Sequence, residues 1–412
     1  MQKIKKYLYY YIFLAAAAVS LISCGKKSDK PTFTFIIPAG VTFSSYYKGI
    51  TPEYLKKNPH IDIKLIEGDY MTFTRMLAAG LPVDLVYATY LPYELISSGR
   101  IKPLDSLIKN DPEYNIDDIY PSIIKETTHE GKTWCVSMGC SPVVLFYNKN
   151  LFEQRGVSFP DNTWNWDTLF QSALRLKSES CIPIIMDAGS WHRSPMYIWQ
   201  NNAEVYDYKN QKYLFDSKEV IEAMEYQVRF YRSKLTPSEA DKESSGASHS
   251  DLFKTGKVAM VPTSSYYLLN TLRNEKEFRY GIAPLPAGKT RANYLVSANL
   301  WMTEGTPHSE EVWKYIKFLM NDRNQYRFYT ATYGLSSRKS VNKKIIRDLS
   351  ERYPDMDFNP LVDSLENSRA AYFVNKGSKV SEHLMSAMDE IILLNKDIKP
   401  ALQKLNRDLN SD

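Results

Sequence analysis

Four consecutive apolar residues, Val143 to Phe146, predict a strand that is buried on both of its faces. A strand of this kind belongs in a sheet that helices cover on both sides, so the run indicates an α/β fold. Gly139 and Pro142 stand just before it and predict a change of chain direction. We interpret residues 138–152 as the point where the chain leaves one lobe and enters a second.

Strand and helix patterns alternate through the preceding part of the chain. Three segments carry strand patterns, 32–37, 61–65 and 83–87. Thr51-Pro52-Glu53 predicts a helix N-terminus, because threonine caps helices and proline is tolerated at the first helical position. The strand–helix–strand order predicts parallel strands with crossover helices. Helices are predicted from residue 340 onwards, the last of them at 380–394.

The chain is too long for one typical hydrophobic core. Its 412 residues predict two or three domains. An apolar content of 43% and a charged content of 24% are those of a folded globular protein. The aromatic content of 13% is high, and aromatic side chains serve both cores and binding surfaces.

The N-terminus has the pattern of an export signal. Three lysines, at positions 3, 5 and 6, precede an apolar run that is too short to span a membrane, which takes about 20 residues. Leu21-Ile22-Ser23-Cys24 resembles the lipobox of bacterial lipoproteins. The resemblance implies a signal peptide at 1–23, fatty acids such as palmitate on Cys24, and a tether at 24–30 that holds the protein at a membrane. A plain secretory signal with an incidental cysteine is the alternative.

Charge and cysteine content narrow the choice of partners. Loss of residues 1–23 removes three lysines and no acids, so the formal charge falls from +5 to +2 and gives no reason to expect nucleic acid. The remaining cysteines, Cys135, Cys140 and Cys181, do not have zinc-site spacing. We interpret them as small buried residues that form at most one disulfide.

Common enzyme motifs are missing from the sequence. It contains no G-x-S-x-G, no H-E-x-x-H and no G-x-G-x-x-G. These absences leave catalysis unsupported without excluding it, since triads are built from distant residues. We predict a protein that is not an enzyme, without catalytic residues, cofactor or metal.

Six segments together resemble the extracellular solute-binding proteins of ABC importers, in particular the sugar-binding family that includes maltose- and glycerol-3-phosphate-binding proteins. They are spread over nearly all of the mature chain: Pro82–Val86, Leu104-Asp105, Leu145–Phe152 followed by Gly156-Val157, Thr163–Trp166, Phe253-x-x-Gly256–Met260 and Tyr280–Pro286. Each segment alone is a weak signal, whereas their order and spacing are those of the family.

The resemblance implies a two-lobed clamshell of type II, in which each lobe is a mixed sheet flanked by helices, with extra C-terminal helices. The N-lobe would hold 31–139 plus 288–337, and the C-lobe 140–287 plus 338–412. The implied function is capture of a sugar or oligosaccharide in the cleft between the lobes and its delivery to ABC permease subunits. We expect a monomer, anchored by lipid and facing the periplasm or the cell exterior.

A sugar site needs fixed hydrogen-bonding groups and flat aromatic walls. Similarity to the family implies eight cleft positions: Tyr70, Thr89, Ser141, Ser264, Ser265, Ser297, Gly334 and Lys379. The residues themselves add Trp191, which follows a strand in a polar loop, and Asn299. Structural roles are predicted for Asp84, Trp164, Trp166 and Trp301.

Other functions stay open at this stage. Lys379 would suit glycerol-3-phosphate or a glycerophosphodiester, whereas Val296-Ser297 stands where that subgroup tends to carry paired glycines. A surface adhesin or sensor could use the same clamshell. A secreted hydrolase would need paired carboxylates across the cleft.

Overall fold

The computed structural model describes residues 30–89, 93–188, 190, 194–238, 241, 249–266, 269, 277–369 and 377–411. Cys24 and Trp191 lie outside these ranges. Within them, no helix is both long enough and apolar enough to cross a membrane.

Helices and strands alternate through the described ranges. The helices are α1 Val41–Lys57, α2 Tyr70–Ala78, α3 Tyr93–Ser97, α4 Asp105–Lys109, α5 Pro121–Thr127, α6 Lys149–Gln154, α7 Trp166–Leu176, α8 Ser194–Gln200, α9 Lys218–Arg232, α10 His249–Lys254, α11 Ser309–Met320, α12 Asp322–Thr332, α13 Lys339–Arg352, α14 Asn359–Glu366, α15 Gly377–Leu393 and α16 Ile398–Asn410. The strands are β1 Thr32–Pro38, β2 Asp62–Gly68, β3 Leu85–Ala88, β4 Thr128–His129, β5 Lys132–Thr133, β6 Val136–Asn148, β7 Ile182–Ile184, β8 Tyr206–Asp207, β9 Lys212–Tyr213, β10 Val258–Ser264, β11 Tyr280–Ala283, β12 Asn293–Met302, β13 Leu335–Ser336 and β14 Ser368–Arg369.

One connected, mixed sheet organises the chain. Its main order is β2-β1-β3-β12-β6-β10-β7, with β11 and β13 also paired to β6 and β14 paired to β12. Strand β1 pairs in parallel with β2 and β3, whereas β12 is antiparallel to both β3 and β6. The parallel strands and their crossover helices confirm the predicted α/β class.

Strand β6 joins the two halves of the sheet. It runs for 13 residues and is buried throughout. Val136 to Pro142 pair with β12, and Val143 to Asn148 pair with β10 and β11. The predicted change of direction at Gly139 and Pro142 is wrong, because the strand continues through both. Glycine at 139 serves close packing instead, since a Cβ there would lie 2.5 Å from Phe328 Cε1.

Two large apolar clusters pack against the sheet. One includes Phe35, Tyr47 and Tyr315, and the other includes Phe230 and Leu402. The C-terminal helices divide between different neighbours: α13 contacts α12 and β13, whereas α15 and α16 contact α9. The proposed lobe boundaries, including the assignment of 338–412 to a single lobe, stay predictions.

Two helix predictions were wrong. Helix α1 begins at Val41, not at Thr51, and Pro52 lies inside it. Tyr47 and Ile50 are buried in the core, and their burial stabilises the helical turns that precede Thr51 and Pro52. Helix α16 follows the predicted last helix. Its buried apolar residues form one stripe on the helix but are widely spaced in the sequence: Ile398, Leu402, Leu405 and Leu409.

The three described cysteines, Cys135, Cys140 and Cys181, are buried and free, so the optional disulfide among them is absent. Burial raises the pKa of each thiol. Buried thiols with a raised pKa are typical of structural cysteines.

Candidate functional site

Three parallel strands of the sheet end along one edge. Pro38, at the end of β1, pairs with Gly68, at the end of β2, and β3 ends nearby at Ala88. Ligands of open α/β sheets bind beyond the carboxyl ends of strands. Two large apolar side chains just past this edge are exposed, Val41 at 84% and Met71 at 59%. This edge is therefore the candidate binding region.

Helices α1 and α2 begin at this edge and differ in their caps. Asp69 caps α2 and accepts a hydrogen bond from the Thr72 N–H at 2.9 Å. Gly40 precedes α1 with φ 107°, a conformation that favours glycine, and among the described residues no side chain caps that helix. The first N–H groups of a helix without a side-chain cap can donate to ligand oxygens. The predicted residues Tyr70 and Thr89 belong to the same edge.

The predicted serines meet on the other side of the site. Ser141 Oγ lies 2.7 Å from Ser264 Oγ and 2.8 Å from Ser265 Oγ, and it accepts the Tyr266 N–H at 2.8 Å. All three serines are buried. Their hydroxyls therefore satisfy one another and hold the backbone of Tyr266.

Aromatic rings connect these two sides. Phe43, in the first turn of α1, lies 5.6 Å from Tyr266 between ring centroids, and 5.8 Å from Tyr87. Phe43 and Tyr266 are both part-exposed. Sequence reasoning missed this pair, although Tyr266 directly follows the two predicted serines.

Two predicted residues on β12 point to a buried carboxyl group. Ser297 Oγ donates to Glu126 Oε2, and Asn299 Nδ2 makes a longer contact of 3.5 Å with Oε1. Both residues and Glu126 are buried. Burial raises the pKa of Glu126 to about 7, against the opposing effect of these two side chains. Sequence reasoning also missed Glu126.

The remaining predicted positions are Gly334, Lys379 and Trp191. Gly334 is buried, donates its N–H to Thr332 Oγ1 at 3.1 Å, and follows Tyr333, which has φ 59°. Lys379 is part-exposed in the first turn of α15. Trp191 lies outside the described residues.

The three tryptophans with predicted structural roles are indeed in packed positions. Trp301 is 1% exposed, and Trp164 is buried beside Phe152. Trp166 stacks on Tyr226 with ring centroids 4.1 Å apart.

Comparison with known proteins places this geometry in a family. The sequence profile of the bacterial extracellular solute-binding proteins matches residues 40–326. The chain is 21% identical to the maltodextrin-binding protein of Bacillus subtilis over 357 residues, 81% of this chain and 82% of that one.

Solved structures share the fold. An ABC substrate-binding protein from Listeria monocytogenes, in complex with cycloalternan, has a TM-score of 0.80 at 19% identity and covers 93% of this chain and 99% of its own. The sugar-binding protein MalE from Xanthomonas citri has a TM-score of 0.79 at 18% identity, over 92% of this chain and 96% of its own. The predicted two-lobed clamshell is thereby confirmed. The chain belongs to the bacterial extracellular solute-binding protein family.

Proposed function

We propose that the protein is a receptor, not an enzyme, that binds a sugar or oligosaccharide in the cleft and delivers it to an ABC permease. The observation that carries the proposal is the contact between Phe43 and Tyr266, two part-exposed rings from opposite sides of the site. Flat aromatic rings suit the C–H faces of sugars. The start of α1, which no side chain in the described part of the chain caps, offers N–H donors for hydroxyl oxygens. The maltodextrin-binding and cycloalternan-bound relatives support the same ligand class.

The predicted residues take two kinds of role in this proposal. Tyr70, Thr89, Trp191 and Lys379 would contact the solute directly, together with Phe43 and Tyr266. The buried residues Ser141, Ser264, Ser265, Ser297, Asn299 and Gly334 would shape the site through their hydrogen bonds and packing.

A titration tests the proposal. The mature chain is mixed with a panel of mono- and oligosaccharides, and tryptophan fluorescence and calorimetry are recorded. Saturable binding of at least one sugar is expected. A panel without any binding sugar would contradict the proposal. Glycerol-3-phosphate is included in the panel as a phosphate ester. If it binds, and Lys379→Ala abolishes that binding, the solute is a phosphate ester instead.

We expect Tyr266→Ala to weaken sugar affinity about tenfold or more, because it removes one aromatic wall. Calorimetry with the sugar that binds best measures the effect. Tyr208→Ala is the matched control, since Tyr208 is 48% exposed on the β8–β9 hairpin and should leave the affinity unchanged. Equal affinities for the two variants would exclude a role for Tyr266 in the site.

The membrane anchor is a separate part of the proposal. We propose that Cys24 is acylated and tethers the protein to the membrane, facing the periplasm or the cell exterior as a monomer. Cells fed labelled palmitate should label the wild-type protein in the membrane fraction. Cys24→Ala should remove the label and release the protein, because acyl chains provide the membrane affinity. Cys181→Ala should keep the label, and a label on Cys24→Ala would refute acylation at that residue.

A further inference from the structure

Glu126 is a buried acid that the proposed binding function does not use. Its side chain, on α5, is 5% exposed. Within the described part of the chain, no lysine, arginine or histidine pairs with it, and its side-chain partners are Ser297 and Asn299 of β12. A buried carboxylate without a cation is costly, so the neutral acid is the favoured form in this environment.

The surroundings of Glu126 hold few groups that could change this balance. Cys140 on β6 and Cys135 just before it are buried thiols, and the electrostatic effect of Glu126 adds to the effect of burial in raising their pKa. The other elements that pack on α5 are β4, β14 and α14. Strand β4 carries His129, β14 carries Arg369, and α14 carries Asp363 and Glu366.

The strand segment that Glu126 contacts lies behind the proposed cleft. Ser297 pairs with Cys140, and Asn299 pairs with both Ser137 on β6 and Ala88 on β3. The register shifts between Ala298 and Asn299, so pairing is irregular at this point. The neighbours of these paired residues along the chain, Thr89 and Ser141, both belong to the proposed site.

We propose that Glu126, in its neutral form, is a positioning residue that holds the Ser297–Asn299 segment and thereby couples solute affinity to the binding of one proton. The proposal rests on the proposed binding function. Ionisation of Glu126 favours states in which water reaches the carboxylate. Such states loosen the contact between α5 and β12, and the edges of β3 and β6 beside the cleft lose their support.

The direction of the pH effect follows from proton linkage. Burial raises the pKa of Glu126 to about 7. At pH values between the ordinary pKa of a glutamate and about 7, the folded state therefore holds a proton that the unfolded state has released. Stability therefore falls as pH rises through this window, by about a hundredfold or more in the unfolding equilibrium constant. Above this pH window, stability does not fall further through Glu126.

The experiment compares wild-type protein with Glu126→Gln, which mimics the neutral acid, from pH 5 to 8.5. Relative to Glu126→Gln, wild-type protein should lose stability as pH rises, and its sugar affinity should weaken about fivefold. Glu304→Gln, an exposed site, is the control and should follow the wild type. Identical pH profiles for wild type and Glu126→Gln would overturn the proposal.

Two further readouts keep the test decisive. If no sugar binds at any pH, the proposed function fails, while the unfolding profiles still test Glu126. If Glu126→Gln does not fold, infrared spectroscopy of the wild type replaces it. A neutral carboxyl stretch present at pH 6 and lost by pH 8.5 supports the proposal, and its absence at pH 6 overturns it.

Discussion

Replacing Asp84 by alanine is expected to lower the free energy of unfolding by about 4 kcal/mol. Asp84 is 3% exposed. Its carboxylate accepts the Thr34 N–H at 2.7 Å and the Thr306 hydroxyl at 2.6 Å. Alanine leaves both buried donors without an acceptor. Urea unfolding followed by tryptophan fluorescence measures the change.

Two controls separate this effect from loss of a charge. Asp216→Ala removes an exposed carboxylate and should change stability by less than about 0.5 kcal/mol. Asp84→Asn keeps one acceptor and should lie between wild type and Asp84→Ala. Equal stability of Asp84→Ala and wild type would refute the predicted structural role of Asp84.

Gly139→Ala is expected to lower the free energy of unfolding by about 3 kcal/mol, through overpacking. The added Cβ would lie 2.5 Å from Phe328 Cε1 and 2.9 Å from the Leu335 carbonyl oxygen, and a backbone oxygen cannot move aside cheaply. Phe328 also lies 6.0 Å from Phe43 between ring centroids, so sugar affinity should fall with stability. Urea unfolding and calorimetry measure the two effects.

The same substitution elsewhere in the chain provides the control. A Cβ at Gly49, in α1, would meet no atom of the described residues within 4 Å, so Gly49→Ala should stabilise the protein by up to about 1 kcal/mol. If Gly139→Ala were as stable as Gly49→Ala, the result would contradict close packing between β6 and Phe328.

The sequence predicted the class of fold because strand patterns are local. Phe33, Phe35 and Ile37 alternate in the sequence and are all buried in β1. The start of α1 could not be predicted in this way. Thr51 and Pro52 form a local signal for a helix start, whereas the aromatic residues that precede them in the helix gain their stability only from the folded core.

The candidate site was harder to predict because its hydrogen bonds join distant segments. Ser141 and Ser264 lie 123 positions apart in sequence, and Ser297 and Glu126 lie 171 apart. Similarity pointed to the serines but not to what they contact. The buried serine hydroxyls bond to one another, and Tyr266, whose backbone N–H bonds to Ser141, carries no signal of its own in the sequence.

Small-angle X-ray scattering of the mature chain, with and without the sugar that binds best, tests the central claim most directly. Closure of two lobes around a solute makes the particle more compact. The radius of gyration is therefore expected to fall when the sugar saturates the site. Scattering curves that stay identical at saturation would contradict capture by closure of a clamshell.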